Sequence, residues 1–137
     1  MKRLLPFLIT IIACISLITS CQKKDEKLII GKWEGKTFIQ KTIWDSGDTA
    51  NIFRNLEPNE YVIEFKKDKT YTSYATYING SVSTDGSYSI AEDKLTMNGD
   101  ISTFIISGNS LSIFTTKEED VAGNHSHTES EMKLERK

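Results

Sequence analysis

The sequence predicts an all-β domain, an eight-stranded antiparallel up-and-down β-barrel behind a removable leader. Three observations carry that reading. Beyond Gly31, apolar residues do not recur at helical spacing through three turns. Instead, short runs rich in Thr, Ile, Val, Tyr and Phe are punctuated by Gly, Asn and Asp about every eight to twelve residues, as strands joined by tight turns would be. Such short connections force antiparallel neighbours, and a meander of eight strands stops exposing its edges by closing on itself.

The leader comes first. Met1-Lys2-Arg3 is a cationic start, and Leu4 to Thr19 is an apolar run broken by Pro6 that ends in small residues, the three-part design of a secretory signal. This run is shorter than the roughly 20 residues needed to cross a bilayer as a helix. Ile18-Thr19-Ser20-Cys21 resembles the bacterial lipobox, an aliphatic residue and two small ones before a cysteine. The resemblance implies cleavage after residue 20, acylation of Cys21 with chains such as palmitate, and anchoring without a membrane span. Gln22 follows the cysteine where inner-membrane lipoproteins often carry Asp, so the outer membrane is the implied destination, on its periplasmic face or at the cell surface. The expected organisation is a signal peptide over 1–20, a lipidated cysteine and polar tether over 21–27, and a barrel over 28–137.

Removing the first 20 of 137 residues leaves 117, room for one small domain. Losing Lys2 and Arg3 from 17 basic residues leaves 15 against 19 acidic ones, a balance that disfavours nucleic acid as a partner because phosphate neutralisation needs a basic excess. Of the two cysteines, Cys14 departs with the signal and Cys21 is taken by lipid, so no disulfide is expected and an apolar core must hold the domain.

Strands are expected near 31–40, 60–66, 70–79, 82–90, 94–98, 101–107, 110–116 and 128–136. The clearest is 60–66, where Tyr61, Ile63 and Phe65 point one way and Glu64 and Lys66 the other. Turn chemistry separates them: Lys67-Asp68-Lys69, Asn79-Gly80, Ala91-Glu92-Asp93, Asn98-Gly99-Asp100 and Gly108-Asn109. Two segments break the rhythm. Residues 41–59 exceed a hairpin turn, and Ala50, Phe53 and Leu56 at spacing three suggest a short helical lid or an Ω-loop. Residues 116–128, with Glu118-Glu119-Asp120, His125 and His127, read as an exposed acidic loop.

Gly31-Lys32-Trp33 opening the first strand, Phe65-Lys66-Lys67-Asp68-Lys69-Thr70-Tyr71, Gly86-Ser87-Tyr88-Ser89-Ile90 and Lys94-Leu95-Thr96-Met97 together resemble the lipocalin-like lipoproteins over most of the mature chain. The resemblance implies that Trp33, the tryptophan of a G-x-W, closes the barrel floor beneath Arg136 of the last strand. It departs from the pattern in three places: no C-terminal helix, no Thr-Asp-Tyr motif, and Asp68-Lys69 where Asp-Gly is usual.

The aromatics fall one or two per strand, so inward members would either line a pocket or fill a core. Both readings remain open at 117 residues. Tyr61, Ile63, Phe65, Tyr71, Tyr88 and Phe104 are the candidate ligand-binding residues, with Gly31, Trp33 and Arg136 closing the floor. Catalysis is not expected: there is no G-x-S-x-G, P-loop, H-E-x-x-H or free cysteine. His125 and His127, with Asp120, Glu129 and Glu131, lack the spaced third and fourth ligands of a metal site, so no metal or cofactor is expected. The expected function is a monomeric, outer-membrane-anchored binder of a small apolar or amphipathic ligand. The alternative is a filled barrel that docks a protein through 41–59, where Trp44 and Phe53 lie.

Overall fold

The computed structural model describes residues 26–121 and 123–137. The expected signal over 1–20, Cys21 and the first part of the tether lie outside the described residues. Nine strands follow a helical turn at 26–29: β1 (Gly31–Trp44), β2 (Thr49–Asn55), β3 (Tyr61–Phe65), β4 (Thr70–Tyr77), β5 (Gly80–Ala91), β6 (Lys94–Met97), β7 (Asp100–Ser107), β8 (Ser110–Val121) and β9 (Asn124–Arg136). All pairings are antiparallel between neighbours in order from β3 to β9, and β9 returns to β1. The result is a closed eight-stranded antiparallel barrel of β1 and β3–β9, with β2 as one extra strand.

β1 explains where the extra strand goes. One of its edges pairs with β9 from Trp33↔Arg136 to Trp44↔Ser126. The other edge serves two partners in succession, Gly31–Glu34 against β3 and Thr37–Ile43 against β2. β2 and β3 therefore lie end to end along β1, separated by residues 56–60. Pro58 has no N–H to give a ladder, and Asn59 sits at φ 63, so the chain leaves the sheet here and re-enters it at Tyr61. Lys36 is the extra residue of a bulge in β1, between Gly35 and Thr37. Below the bulge the odd residues Trp33 and Gly35 face inward; above it the even residues Phe38, Gln40, Thr42 and Trp44 do.

Two expectations are corrected. The segment 41–59 is neither a helical lid nor an Ω-loop: it completes β1, turns through Asp45–Asp48 with Gly47 at φ 88, and forms β2. The unpaired upper edge of β1 offers a ladder to a β-favouring Ile52-Phe53, and that outweighs a three-residue spacing with no helical face to bury. The segment 116–128 is not an open loop either. β8 and β9 continue as a hairpin out to Val121↔Asn124, with Gly123 at φ 83 in the turn. Both faces are polar there, so no alternation marks the strands.

The lower barrel is packed solid. Phe65 and Ile63 are each 1% exposed, and Phe65 meets Tyr88 edge-on with ring centroids 5.0 Å apart. Below them the turn at 26–29 plugs the floor with Ile29, which is fully buried. Trp33 Nε1 donates to the Ile29 carbonyl at 2.7 Å. Arg136 lies with its guanidinium carbon 4.3 Å from the Trp33 ring centroid and donates to the carbonyls of Leu28 and Ile30. Gly31 is required beside it: φ is 131, and a Cβ would stand 2.7 Å from Arg136 Nη1.

Arg136→Ala is expected to lower unfolding stability by about 1–2 kcal/mol, from the lost cation–π contact and two charged hydrogen bonds at an exposed site. Arg136→Lys should recover less than half of that, because an ammonium cannot span the ring and both carbonyls. Urea unfolding of the three proteins checks this; equal midpoints would remove Arg136 from the floor's energetics.

Candidate functional site

The end of the barrel opposite the plug is split. β4 ends at Tyr77 and turns through Ile78-Asn79 into β5, so no strand runs alongside β2 on its far edge. Between β2 and the β4–β5 hairpin lies a groove of about 280 Å³, with Phe38 and Met132 at its base, Arg54 and Leu56 on one wall and Tyr61, Ala75 and Tyr77 on the other. It widens over Glu57, Pro58, Asn59 and Ile78 into an open depression of about 810 Å³ that shares Arg54, Glu60, Thr76 and Tyr77.

Each wall has a local cause. Phe38 and Met132 are cross-strand partners on the inward face of β1 and β9. Tyr61 and Ala75 are partners on β3 and β4, and Thr76 N donates to the Glu60 carbonyl at 2.7 Å, which extends that ladder by one bond. Arg54 and Glu60 form an ion pair across the groove mouth. The second Glu60 oxygen accepts from Glu57 N at 2.8 Å, so this carboxylate is fixed while other guanidinium N–H groups of Arg54 remain to be used. Burial pushes the Tyr61 hydroxyl up to about 12, which keeps it neutral in this wall.

The 56–60 crossing is held from below by Glu34. Its carboxylate takes Lys36 Nζ at 2.7 Å, Asn59 N at 2.9 Å and Lys137 Nζ at 3.4 Å. These donors, Lys36 foremost, hold its pKa down to about 2. The bulge, the crossing and the C-terminus thus meet at one acid.

Of the six candidate ligand residues, Tyr61 lines the groove. Ile63, Phe65, Tyr71, Tyr88 and Phe104 belong to the packed cluster beneath it. Gly31, Trp33 and Arg136 come together at the opposite end. Phe38, Arg54, Leu56, Tyr77 and Met132 escaped sequence reasoning. Simple alternation from Trp33 and Gly35 would have turned Phe38 outward, and it is the Lys36 bulge that turns it inward; Arg54 and Leu56 lie in a segment read as loop. Phe114 faces outward, opposite Thr103 and Glu131.

The two histidines form a separate cluster on the outer face of the β8–β9 hairpin. His125 Nδ1 meets Asp120 at 2.9 Å and its Nε2 meets Glu118 at 3.1 Å; His127 Nδ1 meets Glu118 at 2.5 Å and its Nε2 meets Glu129 at 3.4 Å. All four ring nitrogens face carboxylates, which suits two imidazolium donors. Among the described residues, no group of three or more His, Cys, Asp or Glu is arranged to hold a metal ion. The pKa of His125 is raised, chiefly by Asp120, and that of His127 chiefly by Glu118, whose own is lowered in return.

No protein-family model matches the chain, and no curated protein matches it in sequence. Among the described residues, no helix is long and apolar enough to cross a membrane.

Because both histidines bind protons more tightly when folded, their stabilisation of the hairpin is complete below about pH 6.5 and is lost as pH rises through their raised midpoints. NMR titration should give both ring midpoints above about 6.5. Glu118→Gln should lower that of His127 more than that of His125, and midpoints unchanged by this substitution would contradict the pairing.

Proposed function

We propose that the protein is a lipocalin-like lipoprotein, held at the outer membrane through acyl chains on Cys21, that binds a small apolar or amphipathic molecule at the split end of its barrel without chemical conversion. One observation carries this reading. The groove between β2 and the β4–β5 hairpin has an apolar base and walls, from Phe38, Leu56, Tyr61, Tyr77 and Met132, with an Arg54–Glu60 pair at its mouth. Apolar lining with a few convergent polar groups is the usual composition of a ligand site.

Size limits the ligand. A groove of about 280 Å³ lies just below the roughly 300 Å³ at which enclosed ligand sites begin, so a bound molecule would extend into the wider depression beside Pro58 and Ile78. An amphipathic shape suits that division: an apolar part between Phe38 and Tyr61, and a polar part near Arg54 and solvent. The packed lower barrel favours the second reading, a filled barrel that serves as an interaction or envelope-structural module, because Phe65 and Tyr88 leave no space between them.

Native mass spectrometry of the protein purified gently from its host separates the two. A stoichiometric small molecule supports the binder, and Ala75→Trp, which fills the groove between Tyr61 and Tyr77, should reduce its occupancy about tenfold or more. A chain with no bound mass, and no difference between wild type and Ala75→Trp, would leave the filled module. Labelling cells with radioactive palmitate tests the anchor: label should enter the wild type and be absent from Cys21→Ala, and equal labelling of both would exclude Cys21 as the site.

A further inference from the structure

Among the described residues, β2 is the one strand paired along a single side for its whole length, and all seven of its residues are exposed, Phe53 at 68% and Ile52 at 46%. An edge of this kind templates a further strand unless something guards it. Other open edges in this barrel are guarded. The upper part of β8, beyond its pairing with β7, carries Lys117, Glu118, Glu119 and Asp120. The upper part of β5, beyond its pairing with β6, is rich in Ser and Gly, carries Asp85, and has the Asn98 side chain against the Ser87 N–H at 3.1 Å. β2 carries a single charge, Arg54, which is paired with Glu60, and it has no Lys, no Pro, no bulge and regular register from Thr49 to Asn55.

We propose that this edge is an interface, and that its occupant is a second copy of the chain, paired antiparallel through β2 about a two-fold axis at Asn51. The sequence around β2 is complementary to itself in that register. Residues whose numbers sum to 102 face one another: Asn51 meets Asn51 of the second copy, Ile52 meets Ala50, Phe53 meets Thr49, and Arg54 meets Asp48, the last three pairs each occurring twice. Moving the axis to Phe53 instead sets the two Arg54 side chains diagonally together, so charge selects against that register. Both copies keep their inner faces on one side, and the two four-stranded arrays β8-β9-β1-β2 join into one sheet of eight strands. Arg54 also stands at the groove mouth, so the second copy's Asp48 would reach the same guanidinium that Glu60 holds.

An edge of seven residues is about 23 Å long and makes a small interface, so the association is concentration-dependent and replaces the monomer expected from the sequence. Confinement to a membrane surface would raise the effective concentration and favour it.

Sedimentation of the full chain in mild detergent over a concentration series should show a monomer–dimer equilibrium. Asp48→Arg sets like charges opposite one another twice and should weaken it about tenfold, whereas adding Arg54→Asp to that variant should restore it. Asn51→Cys should form an interchain disulfide that wild type, with its own cysteines, does not. A chain monomeric at every concentration and uncrosslinked at Asn51→Cys overturns the proposal. So does a dimer indifferent to Asp48→Arg, or a different polypeptide held on β2 in the native mass spectrum.

Discussion

A strand of 14 residues needs backbone partners on both sides over its whole length, and β1 faces a neighbour, β3, of only five. Its β9 edge is complete, but above Glu34 its other edge would be bare. The chain resolves this by returning as β2 directly after the Asp45–Asp48 turn. β2 fills the bare edge and then must leave the sheet at 56–60 to reach the level at which β3 begins. That departure opens the groove, because β4 pairs with β3 and stops at Tyr77, leaving nothing beside β2. The split end, its lining and the free edge all descend from one mismatch in strand length.

The opposite end is governed by closure. Trp33 on β1 and Arg136 on β9 are cross-strand partners, so the stack of guanidinium on indole is also the bottom of the seam that shuts the barrel. The turn at 26–29 is bound into it through backbone carbonyls: Ile29 accepts from the indole, and Leu28 and Ile30 accept from Arg136. Nearby, Lys69 pairs with Glu26 at 2.9 Å, and Tyr88 donates its hydroxyl to the Lys66 carbonyl at 2.8 Å. The plug is thus held to the first strand, the last strand and the 66–69 turn. The described residues contain no cysteine, and this floor is fixed instead with one cation and a few directed hydrogen bonds around a fully buried aliphatic side chain.

Much of the fold was legible because one face of most strands is buried. Tyr61, Ile63 and Phe65 alternate with Val62 and Glu64, and a one-residue slip would have carried all three off the core. The Asp68-Lys69 turn was legible in place but not in chemistry. Lys69 takes φ 66 without being glycine, because Asp68 Oδ1 accepts from both Thr70 N and Thr70 Oγ1 and so closes the turn with its side chain. Where burial stops, the pattern stops too. β2 is exposed on both faces, and the upper β8–β9 hairpin carries charge on both, so neither shows a period of two. The site was less legible than the fold for a different reason: Phe38 is placed by a bulge whose extra residue, Lys36, looks like any surface lysine.

That bulge links the two ends in one further respect. Lys36 is not only the residue that changes the phase of β1; its ammonium binds Glu34, which also holds Asn59 N and Lys137 Nζ. The position at which β1 shifts its inward face is therefore tied to the position at which the chain crosses from β2 to β3. Removing the bulge would turn Phe38 and Gln40 outward, and would take away the Lys36 contact to Glu34 beneath the crossing at the same time. The apolar base of the groove and the crossing that opens it are set together. The groove is thus a consequence of register, and its geometry is as well determined as the sheet itself even though its mouth is open to solvent.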